Sequence, residues 1–307
     1  MKLISVCRRG VPAAALCLAF YGIPLLAAER PATELGVRYW LSEGRTAWNH
    51  TAGGGFGNPT SVLTYDRLTA HSVELHAHRG LGEAWFVRGD AGVGHIRSGR
   101  LDDDDYFAGQ VLFSSTRSDV RGDGLSHFTL DVGRTLGGAW QARGARLHLF
   151  AGYQYWSERY EAYGLRYRVN LFGDPDLGGN VPVIRNEVRW SSLRAGIGGR
   201  FELGRTALLA DFALVPYTEL HNRDFHYLRG DLGPVPNIHM NGHGSGWQFQ
   251  AEARRALGRN VELGLGVRHW HLKADGTIRF QPAPGGLPLN RLETRHTGLT
   301  ATLAWRH

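Results

Sequence analysis

Residues 247–254, WQFQAEAR, decide the fold class, because four apolar side chains alternate with four polar or charged ones. A period of two places successive side chains on opposite faces of a β-strand. The alternation recurs through most of the chain and predicts ten strands, each with one apolar and one polar face. An even number of such strands is typical of an antiparallel outer-membrane β-barrel with a wet interior. The apolar rows begin at Val37, Val73, Trp85, Phe128, Leu147, Leu193, Leu208, Trp247, Val261 and Leu299.

The connections between these rows alternate strictly between short and long. Transmembrane barrels show this alternation because periplasmic turns are short and extracellular loops are long. We therefore expect an all-β, ten-stranded antiparallel transmembrane β-barrel with its long loops on the extracellular side. The short links are 79–83, 134–144, 202–205 and 256–260, and the long ones are 48–60, 97–125, 158–186, 217–246 and 273–292.

Residues 1–28 are predicted to be a secretory signal peptide, which leaves 29–307 as a single outer-membrane barrel. Three basic residues precede an apolar stretch that ends at Ala28, which is the order of a cleaved leader. A membrane anchor is the alternative, but the apolar stretch is short for a spanning helix. Both cysteines lie in this leader, so we expect no disulfide in the mature chain.

Charge and composition restrict the partners. The formal charge of +7 falls to about +4 without the leader, which carries three basic and no acidic residues. Nearly all basic residues are arginines, with Lys273 the only lysine after the leader. Arginine suits paired phosphate contacts, and for a secreted chain lipid phosphate is a more natural partner than nucleic acid. We expect a monomer in the bacterial outer membrane and no bound nucleic acid.

Two short motifs carry the chemistry: the run of four aspartates at 102–105, and Asp224 with His226 two positions later. Residues two apart share one face of a strand, so Asp103 can pair with Asp105 and Asp224 with His226. Taken alone, the first motif also fits a solvated acidic loop or a calcium-binding loop. The second, taken alone, is common by chance.

The direction of these side chains depends on irregular strand pairing. In the seventh row even positions face the lipid, so unbroken alternation would turn Asp224 and His226 outward. Pro216 is tolerated in a strand mostly at a bulge, and a one-residue bulge there reverses the direction. In the third row the apolar residues change from odd (Val93) to even (Ile96), which we interpret as a similar shift. We predict irregular pairing at both places.

The two motifs resemble those of the omptins, a family of ten-stranded outer-membrane proteases. Omptins carry Asp-x-Asp followed by an aromatic residue, seen here at 103–106, and Asp-x-His-Tyr, seen here at 224–227. The segments 61–65, 128–132 and 149–154 also look like omptin strands.

The resemblance implies an aspartic-type endopeptidase in which a water attacks the peptide carbonyl, with no covalent intermediate and no metal. His226 would accept the proton of the water, Asp224 would orient His226, and Asp103 with Asp105 would hold the water. It also implies that lipopolysaccharide is required as a lipid activator, and Arg159 and Arg189 are the candidate lipid-binding residues. The alternative for both arginines is an ordinary interfacial position.

Departures from the omptin pattern leave the substrate open. Asn222 occupies the position at which omptins carry an acid that prepares a pocket for a basic side chain. The first long loop is rich in glycine where a second acid is expected. A catalytically inactive barrel used as an adhesin or surface-binding protein is therefore kept as an alternative, and a passive channel as a third. His239 and His243 have a spacing that binds zinc on a helix, but the glycines around them favour a polar loop.

Overall fold

The computed structural model describes residues 33–53, 57–139, 141–283 and 285–307; the predicted signal peptide and residue 140 lie outside them. Ten antiparallel strands form a closed barrel in which each pairs with its chain neighbours and β1 pairs with β10. The predicted fold class is confirmed. The strands are Thr33–His50 (β1), Ser61–Leu81 (β2), Trp85–Phe107 (β3), Val111–Leu136 (β4), Ala145–Asn170 (β5), Leu177–Leu203 (β6), Thr206–His226 (β7), Ile238–Ala256 (β8), Val261–Phe280 (β9) and Leu287–Arg306 (β10).

Helical structure in the described ranges is limited to two 3-10 turns, Gln141–Arg143 and Gly230–Leu232. None of the helices in these ranges is long and apolar enough to cross a membrane.

The strands are much longer than a bilayer requires. About 9–11 residues of a tilted strand cross the hydrocarbon core, whereas β6 has 27 residues. The prediction of long loops at 97–125, 158–186, 217–246 and 273–292 is therefore wrong, because the strands continue into these ranges. The links that remain are 108–110, 171–176, 227–237 and 281–286. The barrel thus has a lower half with an apolar outer belt and an upper half that extends beyond the belt.

The outer wall is apolar in the lower half and polar in the upper half, and the lumen shows the reverse. In the lower half the outward side chains are apolar and exposed, with Val93 at 70% and Leu265 at 66%. In the upper half the apolar side chains point inward, as Leu101 and Leu220 do, and form one continuous buried cluster. The polar side chains of the upper half cover its outer wall, as they would on a water-soluble barrel.

Ion pairs line the lumen of the lower half, where they surround a cavity. Glu74 is fully buried and accepts hydrogen bonds from Arg38 at 3.1 Å and Arg268 at 2.6 Å. Arg88 joins Asp131 at 3.0 Å and Asp211 at 2.9 Å. These contacts cross from strand to strand, so the charged residues that the alternation assigned to the interior stabilise the closed ring.

An aromatic layer separates the two halves. The rings of Trp156 and Trp270 lie 3.6 Å apart between centroids, and that of Trp40 lies 6.0 Å from Trp156 and 6.2 Å from Trp270. Because β1, β5 and β9 contribute one ring each, the layer spans the lumen. This filling does not support the passive-channel alternative.

Candidate functional site

The aspartate run divides into an inner pair and an outer pair. Asp103 and Asp105 share the inner face with buried Leu101, and the Ser61 hydroxyl donates a hydrogen bond to Asp103 at 3.4 Å. Asp102 faces outward and accepts two hydrogen bonds from Arg117, at 2.7 and 3.0 Å.

The outward-facing aspartates argue against both alternative interpretations of this motif, the solvated acidic loop and the calcium-binding loop. Asp104, on the outer wall, accepts hydrogen bonds from Ser115 at 2.5 Å and Arg168 at 3.0 Å. Asp119 and Asp123, the other aspartates of the segment that could have helped a calcium-binding loop, pair with arginines instead. The run is therefore not a solvated acidic loop but part of β3.

The inward direction of Asp103 follows from irregular pairing, although the sequence argument placed the shift wrongly. Ile96 is fully buried and faces inward. Even residues therefore still face inward at Ile96, as they do below it, and the side chains of the strand have not changed sides between Val93 and Ile96. The inner face passes from even to odd residues higher up, between Ile96 and Leu101. There the pairing of β2 with β3 shifts between Asp66 and Ala70.

The predicted bulge at Pro216 is confirmed. The pairing of β7 with β8 shifts between Val215 and Thr218, and its pairing with β6 shifts opposite Tyr217. Val215 is buried below the bulge, whereas Thr218 and the even residues above it are buried beyond. Asp224 and His226 consequently lie on the inner side of the barrel.

Asp224 and His226 form a hydrogen-bonded dyad. His226 Nε2 lies 3.2 Å from Asp224 Oδ2, and Asp224 is fully buried. A proton on Nε2 that is donated to Asp224 leaves Nδ1 as the acceptor nitrogen. Asn237 fixes the His226 backbone by accepting from its N–H at 2.9 Å and donating to its carbonyl at 3.1 Å. The sequence analysis did not identify Asn237 as a site residue. The only signal in the sequence is its position directly after Pro236, in the link between two strands.

The charges of the two motifs act on each other across the lumen. Burial raises the pKa of Asp103 well above its usual range, and the charge of Asp105 raises it further. Burial also raises the pKa of Asp105, against the lowering effect of the nearby Ser61 hydroxyl and of the Arg229 charge. Burial lowers the pKa of His226, but the charge and hydrogen bond of Asp224, with the charge of Asp103, raise it overall. Two carboxyl groups with raised pKa values beside an imidazole are typical of a catalytic site.

Tyr65 lies directly below these motifs and was not singled out in the sequence. Its ring stacks on Tyr160 at 4.9 Å, and its buried hydroxyl makes no hydrogen bond to any described residue. Burial raises its pKa well above 10, and the charges of Asp224 and Asp103 raise it further. The hydroxyl therefore lies close to both halves of the site.

Two possible metal sites fail on geometry. Among the described residues, Glu74, Asp90 and His127 bring one ligand atom each within 4.8 Å of one another, but Arg38 and Arg268 already occupy the Glu74 carboxylate. His239 and His243 lie four positions apart on strand β8. At about 3.3 Å per residue this separates them too far to share an ion, so the zinc interpretation is wrong.

The two candidate lipid-binding arginines lie on the outer wall of the upper half. Arg159 contacts Asp123 at 2.5 Å, and Arg189 lies 4.0 Å from Glu187. Their side chains are 45% and 49% exposed. Arg223, on the neighbouring strand, also contacts Glu187 and belongs to the same patch; the sequence analysis did not include it.

The fold defines a class of protein, a ten-stranded β-barrel of the outer-membrane type, and its upper half brings a carboxyl pair and an Asp-His dyad to one lumen. A comparison of structures agrees: the outer membrane protease OmpT from Escherichia coli superposes with a TM-score of 0.76 at 15% identity, over 92% of this chain and 99% of OmpT. The resemblance to omptins is thus confirmed at the level of the fold: the chain folds as OmpT does.

Other outer-membrane barrels match with lower scores. The translocator domain of the autotransporter NalP from Neisseria meningitidis has a TM-score of 0.35 at 11% identity, over 89% of this chain and 88% of its own. The outer membrane protein AlkL has a TM-score of 0.32 at 11% identity, over 93% and 95%. No family model and no curated protein matches the sequence.

Proposed function

We propose that the chain is an outer-membrane endopeptidase whose active face is extracellular. The observation that carries the proposal is the convergence of an inward carboxyl pair on β3 with an inward Asp-His dyad on β7. The charge of Asp103 raises the pKa of His226, and the charge of His226 in turn lowers that of Asp103. OmpT is an outer membrane protease, and the residue types of the omptin motifs stand here in the same fold. Peptide-bond hydrolysis is the reaction that this set of groups serves best.

Water is the nucleophile in the proposed reaction. Neutral His226 accepts a proton from the water while the water oxygen attacks the peptide carbonyl carbon. Asp224 orients the imidazole and stabilises its charged form. The Asp103–Asp105 pair holds the water on the other side, and the raised pKa values favour one shared proton in this pair. The imidazolium then returns the proton to the leaving amine as the C–N bond breaks.

A lipid phosphate is the proposed activator. Arg159, Arg189 and Arg223 form a mostly basic patch on the outer wall of β5 to β7, above the apolar belt. Guanidinium groups bind phosphate through paired hydrogen bonds, and lipopolysaccharide supplies phosphate at this height in an outer membrane. Loss of lipopolysaccharide-dependent activity in an Arg159→Ala, Arg189→Ala double variant would support this assignment, and unchanged activation would contradict it.

The test of the function is cleavage of a mixed peptide library by the refolded barrel with lipopolysaccharide. Asp103→Ala and His226→Ala should abolish cleavage. Asp104→Ala is the matched control, because Asp104 is the adjacent aspartate but faces the outer wall, and it should remain active. Equal cleavage by all three variants would contradict the proposed site.

An adhesin is the second candidate, favoured by an aromatic patch at the tips of β3 to β6. Phe107 stacks on Phe113 at 4.0 Å, Phe172 packs edge-on at 5.6 Å, and Phe172 is 65% exposed. Exposed aromatic patches mark binding surfaces. A folded, lipid-supplemented barrel that cleaves no peptide would favour this function.

A further inference from the structure

One arc of the upper lumen joins the two halves of the proposed catalytic site without a charged side chain. Ile238 on β8 lies opposite Asp224, and Phe280 on β9 lies opposite Ile238. The Phe280 ring is 5.1 Å from the ring of His50 on β1. The arc therefore continues from the dyad across β8 and β9 to β1.

The remaining part of the arc reaches the carboxyl pair. His50 lies opposite Ser61 on β2, and Ser61 lies opposite Asp105 on β3. Trp48 packs beside His50, with ring centroids 5.9 Å apart. Burial lowers the pKa of His50 to about 4, so its imidazole is neutral at any pH near 7. We call Trp48, His50, Ile238 and Phe280 the aromatic wall.

The groups beneath and above the site offer no partner for a cation. Asn222 and Asn186 are buried and hydrogen-bond to each other in both directions, at 2.9 and 3.3 Å. The buried Glu158 carboxylate is held by His296 and Tyr160. From above, the charge of Arg229 reaches the carboxyl pair and lowers the pKa of Asp105.

We propose that the aromatic wall binds an uncharged, apolar side chain of the substrate, which directs cleavage beside an aromatic or aliphatic residue and not beside Arg or Lys. The inference rests on the proposed peptidase function and specifies its substrate class. A guanidinium or ammonium group at the wall would lose its hydration, which is strongly unfavourable without a free carboxylate partner. The carboxylates that adjoin the wall, Asp224 and Asp105, belong to the catalytic site: Asp224 is paired with His226, and the charge of Arg229 already acts on Asp105. An apolar side chain would instead gain contact area with Phe280, which is only partly buried.

The experiment uses one quenched fluorescent peptide scaffold with Phe, Leu, Ala, Arg or Lys at a single position. The same peptides in labelled, unquenched form are titrated by fluorescence anisotropy against an Asp103→Asn barrel, so that preference is also measured without turnover. We expect kcat/KM for the Phe and Leu peptides to exceed that for Arg and Lys by about 100-fold, with the same order in binding.

Three variants locate the preference. Phe280→Ala should lower kcat/KM for the Phe peptide about tenfold and leave the Ala peptide nearly unchanged. Asn222→Asp should raise kcat/KM for the Arg peptide at least about tenfold relative to Phe, because it supplies a carboxylate. Phe201→Ala is the matched control: Phe201 lies at the opposite end of the barrel, is 40% exposed, and should change neither ratio.

Each outcome decides between the claims. Preferred cleavage or binding of the Arg or Lys peptides, or no preference in either assay, overturns the inference. Apolar preference in binding with no cleavage by the wild-type barrel refutes the peptidase function but retains the aromatic wall as a binding surface.

Discussion

Replacing Asp224 by asparagine should change both the rate and its pH dependence. His226 must be neutral to accept a proton, so activity should rise as the pH passes through its pKa, which lies above the ordinary 6.5. Without the Asp224 charge, the burial that lowers this pKa is opposed mainly by Asp103. The acid limb of the pH–rate profile should therefore move to lower pH in Asp224→Asn.

The maximum rate should fall at the same time. An asparagine in place of a histidine-orienting aspartate costs about 10⁴ in kcat in serine proteases. The Asp224–His226 distance of 3.2 Å is longer than the 2.7–2.9 Å typical of strong charge-assisted bonds. We therefore expect a loss of about 10³-fold, which is about 4 kcal/mol of transition-state stabilisation.

The assay is cleavage of a fluorogenic peptide between pH 4 and 9, with the His226 pKa measured by NMR. General damage to the barrel would lower the plateau and leave the acid limb in place. An unmoved limb, or one displaced to higher pH, would refute the reasoning. His226 also stabilises the fold through its raised pKa; this contribution is complete below about pH 6.5 and lost as the pH rises through the raised value, and Asp224→Asn should reduce it.

Three further predictions concern stability. Asp103→Asn should stabilise the barrel by roughly 1–2 kcal/mol at pH 7 while abolishing cleavage; because the folded pKa of Asp103 is raised from 3.8, the gain should disappear below about pH 4, as urea unfolding in lipid vesicles at both pH values would report. Tyr65→Phe should raise stability by about 1 kcal/mol, because it removes a buried hydroxyl without a described partner and keeps the stacking on Tyr160; a loss of stability on thermal unfolding would contradict this. Glu74→Ala should destabilise by about 3–5 kcal/mol, because Arg38 and Arg268 lose their buried partner, whereas the adjacent Leu75→Ala, 66% exposed on the lipid side, should cost far less; equal shifts in the urea midpoint would argue against the lumen network.

The ten strands were predictable because the lipid-facing rows, such as the one from Val261 to Val267, are long and regular. The length of the strands was not predictable. In the upper half the apolar residues lie on the inner face instead of the outer one, and the polar residues of the outer wall have the composition of a loop. The reversal near Pro216 was predictable from the chemistry of proline. The reversal in β3 was predicted too early in the strand. Ile96 was taken for an outward-facing apolar residue, but it faces inward, at the height where the lumen itself becomes apolar.

The candidate site was predictable only in part. Asp103, Asp105, Asp224 and His226 form local motifs with a recognisable spacing. Other residues join them solely through barrel closure, and their own sequence neighbourhoods carry at most a weak signal, such as the proline before Asn237. They include Tyr65, Asn237 and the aromatic wall.

The layer of Trp40, Trp156 and Trp270 has a consequence for the conditions under which the chemistry runs. It divides the lumen into two compartments, and the proposed site opens only into the upper one. Protons, salt and small inhibitors reach His226 from the rim and not through the base of the barrel. With the active face outside the cell, as proposed, the reaction would follow the acidity of that environment, whatever conditions hold beneath the membrane.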